Sequence, residues 1–194
     1  GSLRGAPAQF RAGARGDAGR GLRMSQGFIH LHVHSEYSLA DSVVRIPELL
    51  AAVRAAGMPA VALTDQGNLF AMVMFYKAAL AAGVKPIVGA DLWLRLADDG
   101  RPPARLVLLC RDATGYANLA RLVSRSYLEG LEAGQPVIRA DWLEGGAAAG
   151  LIALSGGRAG VLGAALGAGR STEASAILGR LRELFGGDFY LEVM

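Results

Sequence analysis

Short apolar runs alternate with helical segments along the chain, and this alternation constrains the fold more than any other feature. Runs typical of buried strands are PAVALTD (59–65), KPIVGADLWL (85–94), ARLVLLC (104–110), GLIALSGG (150–157) and DFYLEVM (188–194). Segments with helical spacing are PELLAAVRAAG (47–57), NLFAMVMFYKAALAAG (68–83), DATGYANLARLVSRSYLEG (112–130) and STEASAILGRLRELFGG (171–187). The alternation predicts an α/β fold with a parallel sheet, open or closed into a barrel. In such folds functional side chains collect at the carboxyl ends of strands, where Asp65, Asp91 and the loop at 155–157 lie.

The stretch FIHLHVHSEYSLADS (28–42) contains all three histidines of the chain. If it forms a strand, alternation places His30, His32 and His34 on one face. Neutral imidazole nitrogens are common metal ligands, and two of them on one side of a strand can reach the same ion. The pattern favours a metal site over a polar strand face whose rings bond to carboxylates or water, with His30 in a structural role beside the site.

The first 23 residues differ in composition from the rest of the chain. They contain almost no large apolar residue, and Met24 follows them, so we interpret residues 1–23 as a disordered leader and residues 24–194 as the folded domain. The leader carries five Arg and one Asp, which leaves 15 basic and 16 acidic residues in the domain. The net charge of +3 therefore gives no indication that the folded part binds nucleic acid.

The single cysteine, Cys110, rules out an internal disulfide and fits a reducing compartment. It ends an apolar run, which predicts a small buried hydrophobe rather than a nucleophile. The sequence also lacks an uninterrupted apolar run of about 18 residues, the minimum for a membrane helix. These features predict a cytoplasmic protein without membrane contact.

Four segments resemble a known family. They are HLHVHSEYSLADS (30–42), GMPAVALTDQGNLFAMVMFYKAALAAGVKPIVGADLWL (57–94), LVLLCRDATGYANLARLVSRSYLEG (106–130) and LIALSGGRAG (151–160). Together they resemble the polymerase and histidinol phosphatase (PHP) domain at the amino terminus of bacterial DNA polymerase III alpha subunits. The resemblance implies a distorted (β/α)7-type barrel, of which this chain would be an amino-terminal portion, incomplete at its carboxyl side.

The resemblance also implies a cluster of metal ions, for which this chain keeps only part of the ligand set. Four positions keep a ligand of the right type or a shorter acid: His32, His34, Asp41 and Asp91. Three positions have lost the family's His, His and Cys: Gln66, Arg105 and Gly157. The family's late Asp-x-His ligands would lie beyond Met194. The remaining groups could hold a single Zn²⁺ or Mn²⁺, whereas a bridged cluster that activates water needs the missing ligands.

Arg105 decides between a working and a degenerate site. A guanidinium is always protonated, so within a metal cluster it would repel the metal cations. We predict that Arg105 pairs with Asp41 or Asp91 and replaces part of the lost metal charge. The expected site is therefore vestigial or weak, with no firmly expected cofactor and no catalytic residue in this chain.

For the parent protein, the resemblance implies a replicative DNA-directed DNA polymerase, a nucleotidyltransferase. Its Mg²⁺-binding aspartates would lie outside this chain, and it would contact DNA through the rest of the alpha subunit. The domain itself would be a scaffold that docks the epsilon proofreading exonuclease.

Two alternatives stay open. In the first, the domain is an active metal-dependent phosphoesterase or proofreading nuclease. In the second, the parent is an error-prone, alpha-like DNA polymerase that carries the same domain.

Overall fold

The computed structural model describes residues 27–193, so the predicted leader at residues 1–23 lies outside the described part of the chain. Its α-helices are α1 (Ile46–Ala55), α2 (Met72–Ala81), α3 (Ala113–Glu129), α4 (Val161–Gly167) and α5 (Ser171–Phe185). Its strands are β1 (Ala60–Leu63), β2 (Lys85–Arg95), β3 (Ala104–Cys110), β4 (Leu131–Glu132), β5 (Gln135–Arg139), β6 (Leu151–Leu154) and β7 (Phe189–Tyr190). The predicted α/β class is confirmed.

Helix α2 begins later than the sequence predicted, and Asn68 is not its N-cap. The Asn68 side chain instead accepts a hydrogen bond from the N–H of Phe70 (3.0 Å) and donates to the carbonyls of Tyr37 and Gln66 (both 3.0 Å). An Asn side chain that bonds to its own local backbone favours a turn over a helix. Asn68 thus shapes the connection between β1 and α2, directly beside Gln66.

Strand β2 is the centre of the sheet. Along one edge it pairs in parallel with β1 over residues 85–88 and with β5 over residues 93–95. Along the other edge it pairs with β3 in antiparallel register. Between the β1 and β5 ladders, the N–H of Asp91 donates to the carbonyl of Asp65 (3.1 Å) and the N–H of Gly67 to the carbonyl of Asp91 (2.9 Å). Asp91 therefore lies beside the polar residues that follow β1.

The predicted parallel sheet is found only in part. The strand order is β4-β5-β2-β3-β6-β7, with β1 also on β2, and the sheet is open. Both pairings of β3 and the β4–β5 pairing are antiparallel, whereas β6 and β7 pair in parallel. The short connection from β2 to β3 contains no helix, and such a connection can join only antiparallel neighbours.

Both faces of the sheet carry buried side chains. Ala62 of β1, Val107 and Leu109 of β3 and Leu154 of β6 belong to one buried cluster. Their neighbours along the strands point to the opposite face. There α1 and α2 pack on β1, while α3, α4 and α5 belong to the larger cluster with β2, β3, β5 and β6.

Candidate metal centre

The histidine segment lies along β1 but is not a regular strand. The N–H groups of Ala62 and Thr64 donate to the carbonyls of His30 and Val33 (both 2.8 Å). The hydroxyl of Thr64 accepts from the N–H of Val33 (2.9 Å). Because the side chain of Thr64 takes the place of a backbone partner, the expectation of a regular strand is wrong here.

Two of the three histidines enter the site. His32 and His34 are partly buried, whereas His30 is exposed and its ring lies edge-on to that of Phe28, with the centroids 4.8 Å apart. His30 therefore lies outside the group of ligand atoms, and its structural role stays a prediction.

Three ligand atoms face one another at the centre of the site. Nε2 of His32 lies 3.3 Å from Nε2 of His34 and 3.3 Å from Oδ2 of Asp91, and Nε2 of His34 lies 3.2 Å from the same oxygen. Asp91 is only 2% exposed. The structure thus brings together three of the four residues that the sequence proposed as ligands.

The outer nitrogen of each imidazole contacts a second carboxylate. Nδ1 of His32 lies 2.6 Å from Oε1 of Glu192, and Nδ1 of His34 is hydrogen-bonded to Oδ2 of Asp41. Asp41, which the sequence proposed as a ligand, therefore lies on the side of His34 that faces away from Asp91. Histidine ligands of metals are usually held by such outer carboxylates.

Arg105 reaches into the same site. Its Nη1 lies 3.1 Å from Oδ2 of Asp91, and its guanidinium lies over the ring of Trp93, 4.2 Å from the centroid. With its amide turned so that the oxygen faces donors, as these neighbours require, Gln66 accepts from Nη1 (3.2 Å) and Nη2 (2.9 Å) of Arg105 and from the indole N–H of Trp93 (3.0 Å). The expected ion pair of Arg105 is thus made with Asp91, and Gln66 and Trp93 hold the guanidinium in place.

The charges of the site are strongly coupled. Burial lowers the pKa of His32, but hydrogen bonds with Asp91 and Glu192 outweigh this and raise it to about 9. Burial acts to lower the pKa of His34 as well, but hydrogen bonds with Asp91 and Asp41 outweigh it and raise this pKa above its ordinary value. For Asp91, burial acts to raise the pKa, but the two histidines and the charge of Arg105 hold it below its ordinary value.

Two other positions that the sequence singled out do not supply a ligand atom. Asp65 is buried, and its carboxylate accepts hydrogen bonds from the N–H of Ser35 (2.6 Å) and the hydroxyls of Ser35 and Ser38 (both 2.8 Å). Gly157 lies in a short 3-10 helix, Gly157–Ala159, and has no side chain.

Cys110 is partly buried, and burial raises the pKa of its thiol to about 11, as expected for an unreactive thiol.

The donors fit one metal ion. In a tetrahedral zinc site with bonds of about 2.0–2.1 Å, neighbouring ligand atoms lie about 3.3 Å apart, which matches the three distances at the centre. Oδ1 of Asp91 is buried and has no hydrogen-bond partner among the described residues, an arrangement that a nearby cation relieves. Among residues 27–193, only His32, His34 and Asp91 form a group of three metal-ligating side chains, so the described residues do not fit a multi-ion cluster.

Sequence reasoning missed Glu192 and Trp93. Glu192 lies two residues beyond β7, inside the run DFYLEVM (188–194) that the sequence predicts as one strand, so no carboxyl-end signal marks it. Trp93 offers no signal either, because an aromatic residue in an apolar strand is usually part of the core.

The comparisons with known proteins agree on one family. The PHP domain family matches residues 30–194. DNA polymerase III subunit alpha of Pseudomonas aeruginosa is 47% identical over 170 residues, which cover 88% of this chain and 14% of that protein. The same subunit of Vibrio cholerae is 43% identical over 167 residues, 86% of this chain and 14% of that protein. The Escherichia coli K12 subunit is 41% identical over 171 residues, again 86% and 14%. The chain thus spans about one seventh of the length of these relatives.

No helix within residues 27–193 is both long enough and apolar enough to cross a membrane.

Proposed function

The chain belongs to the PHP domain family, and on that basis we propose that it is the amino-terminal PHP domain of a DNA polymerase III alpha subunit and acts there as a non-catalytic scaffold. The parent protein would be a replicative, Mg²⁺-dependent DNA-directed DNA polymerase of the cytoplasm that contacts DNA through the rest of its chain. The names of the relatives favour this parent over an error-prone, alpha-like polymerase.

One observation carries the scaffold proposal: Arg105 pairs with Asp91 inside the site. Water activation at a metal ion needs an open coordination position. Here a permanent cation takes up the carboxylate oxygen that both histidines face, and Gln66 and Gly157 offer no ligand in place of the family's His and Cys. The site can hold at most one Zn²⁺ or Mn²⁺, in competition with Arg105.

The scaffold would dock the epsilon proofreading exonuclease. Helix α2 is apolar on nearly all sides, although only Phe75 and Ala79 of its residues are fully buried. Phe70, Val73 and Met74 are exposed around a shallow depression that also includes Lys77. We call these four residues the α2 face. A helix that is apolar all round is usually covered, so the α2 face is suited to a protein partner.

The catalytic half of the proposal is tested on the purified 194-residue chain. After mild chelation, zinc or manganese is added back, and metal content, phosphatase activity and 3′–5′ exonuclease activity are measured, with His32→Ala as control. We expect no more than one ion per chain and no turnover with either metal. Turnover that His32→Ala abolishes would contradict the scaffold proposal.

The docking half is tested with purified epsilon exonuclease. Val73→Glu and Met74→Glu each place a charge on the α2 face, and we expect each to weaken binding at least about tenfold. Leu128→Glu is the matched control, since Leu128 is also an exposed apolar residue on a helix, α3. If all three variants bind epsilon like the unaltered chain, the α2 face is not its docking site.

A second candidate function has one observation in its favour. The central ligand atoms already stand at the spacing of a tetrahedral zinc site. An active metal-dependent phosphoesterase would use His32, His34 and Asp91 to hold the ion, and the same turnover assays decide between the two.

A further inference from the structure

We propose that Glu192 is a positioning residue for the candidate metal centre: its carboxylate fixes the ring of His32 with a proton on Nδ1, so that Nε2 faces Asp91 and His34. As far as it concerns metal, this inference rests on the single-ion site proposed above. The orientation of the ring can be measured without any metal.

The contact itself determines which nitrogen carries the proton. Oε1 of Glu192 lies 2.6 Å from Nδ1 of His32, and both side chains are largely buried, 11% and 17% exposed. A carboxylate can only accept hydrogen bonds, so Nδ1 donates to Glu192. Nε2 also faces a carboxylate oxygen, Oδ2 of Asp91, but at 3.3 Å, so the much shorter contact keeps the single proton of the neutral ring on Nδ1. In the neutral ring, Nε2 then has a free lone pair, and this is the atom that faces the other two ligand atoms.

Glu192 is held in place by the sheet. Its N–H donates to the hydroxyl of Ser155 (2.9 Å), and the N–H of Ser155 donates to the carbonyl of Tyr190 (3.1 Å). Ser155 is buried directly after β6, which pairs in parallel with β7. The backbone that carries this carboxylate is therefore held by two paired strands.

The corresponding contact on His34 is weaker. Asp41, which holds Nδ1 of His34, is 42% exposed and belongs to the same local segment as the histidine. Water competes with a hydrogen bond at an exposed carboxylate and much less at a buried one. Of the two outer carboxylates, Glu192 is thus the stronger constraint on the site.

The second oxygen of Glu192 argues against a purely structural role. Oε2 is buried and has no hydrogen-bond partner among the described residues. A buried acceptor without a partner destabilises a fold, so an apolar side chain would serve packing better. The presence of a carboxylate at this position is explained by the hydrogen bond between its Oε1 and Nδ1 of His32.

The first measurement is zinc affinity of the 194-residue chain, by competition with a chromophoric chelator. We expect Glu192→Ala to weaken zinc binding 10- to 100-fold, about the effect of losing an outer carboxylate. Glu192→Gln keeps an oxygen that accepts from Nδ1, so it should restore part of the affinity. Glu183→Ala, at an exposed acid of α5, should leave the affinity unchanged. Equal affinities in all four chains would overturn the proposal.

The second measurement is made on the zinc-free chain. Long-range ¹H–¹⁵N NMR, followed over a pH titration until the His32 ring is neutral, shows which ring nitrogen carries the proton. We expect the Nδ1–H form in the unaltered chain and in Glu192→Gln, and a loss of this preference in Glu192→Ala. An Nε2–H ring in the unaltered chain would overturn the proposal even if the Ala variant does not fold. If the unaltered chain binds no zinc, the single-ion site is wrong, while the NMR result still decides the role of Glu192.

Discussion

Oδ2 of Asp91 lies 3.1 Å from the guanidinium of Arg105, the same oxygen that His32 and His34 face at 3.3 and 3.2 Å. A permanent cation and a candidate metal ion would therefore use one carboxylate oxygen. At such distances, and with Asp91 fully buried, the repulsion between two cations is weakly screened.

Replacing Arg105 by histidine is expected to raise zinc affinity at least about tenfold, because it removes the competing charge and adds an imidazole ligand. Competition with a chromophoric chelator measures the change. Arg54→His is the matched control, since Arg54 is an exposed arginine on α1 that contacts none of the site residues named above. Tight zinc binding by the unaltered chain, equal to that of Arg105→His, would show that Arg105 does not oppose the metal.

The carboxylate of Asp65 stabilises the fold rather than the metal centre. Asp65→Asn replaces an acceptor of three hydrogen bonds from Ser35 and Ser38 by an amide that faces donors. We expect the free energy of unfolding to fall by about 2–4 kcal/mol. Urea denaturation measures the change, and Asp98→Asn, at an exposed loop position, should change stability by less than about 0.5 kcal/mol. Equal stability of the two variants would contradict the prediction.

Replacing either of two helical glycines by alanine should change the free energy of unfolding, but in opposite directions. A Cβ on Gly115, in the first turn of α3, would lie 1.8 Å from the carbonyl oxygen of Gly150, whereas a Cβ on Gly179 in α5 would meet nothing within 4 Å. Gly115→Ala should lower the free energy of unfolding by about 3 kcal/mol or more, since two backbones must separate. Gly179→Ala should raise it by up to about 1 kcal/mol through helix propensity. Denaturant titration of both variants tests the pair, and the same sign for both would contradict it.

The Cys110 thiol should make the domain less stable at high pH. Its pKa in the folded state is about 11 against an ordinary value of 9.0, because burial disfavours the thiolate. Above pH 9 the unfolded chain therefore loses this proton first, and the stability contributed by the buried thiol falls as pH rises, by at most about 1.4 kcal/mol per pH unit, until about pH 11. The difference in unfolding free energy between the unaltered chain and Cys110→Ala, followed from pH 7 to pH 11, isolates this effect from other titrations. A difference that does not change with pH would contradict the prediction.

Part of the candidate site could be predicted from the sequence. The alternation of histidines identifies His32 and His34, because it depends on geometry within one segment. The carboxyl-end rule does not account for Asp91, which lies in the middle of β2; the resemblance to the PHP family does. Glu192 was missed because its partner lies 160 residues away in the chain. No local pattern reports a contact of that separation.

The fold class could be predicted more fully than the strand directions. An apolar run is the same whether its neighbour is parallel or antiparallel, so the runs alone did not indicate the direction of β3. The connection ADDGRPP (97–103) contains that information, because a short loop without a helix joins antiparallel strands.

The contact between His32 and Glu192 also determines when the site can form during synthesis. A ribosome that adds about 5–20 residues per second needs about 8–32 s to pass from the first residue to the second, 160 positions later. Throughout this interval, the nascent chain carries His32 without the carboxylate that orients its ring. The centre is therefore completed only when the last described strand has been made and has paired with β6.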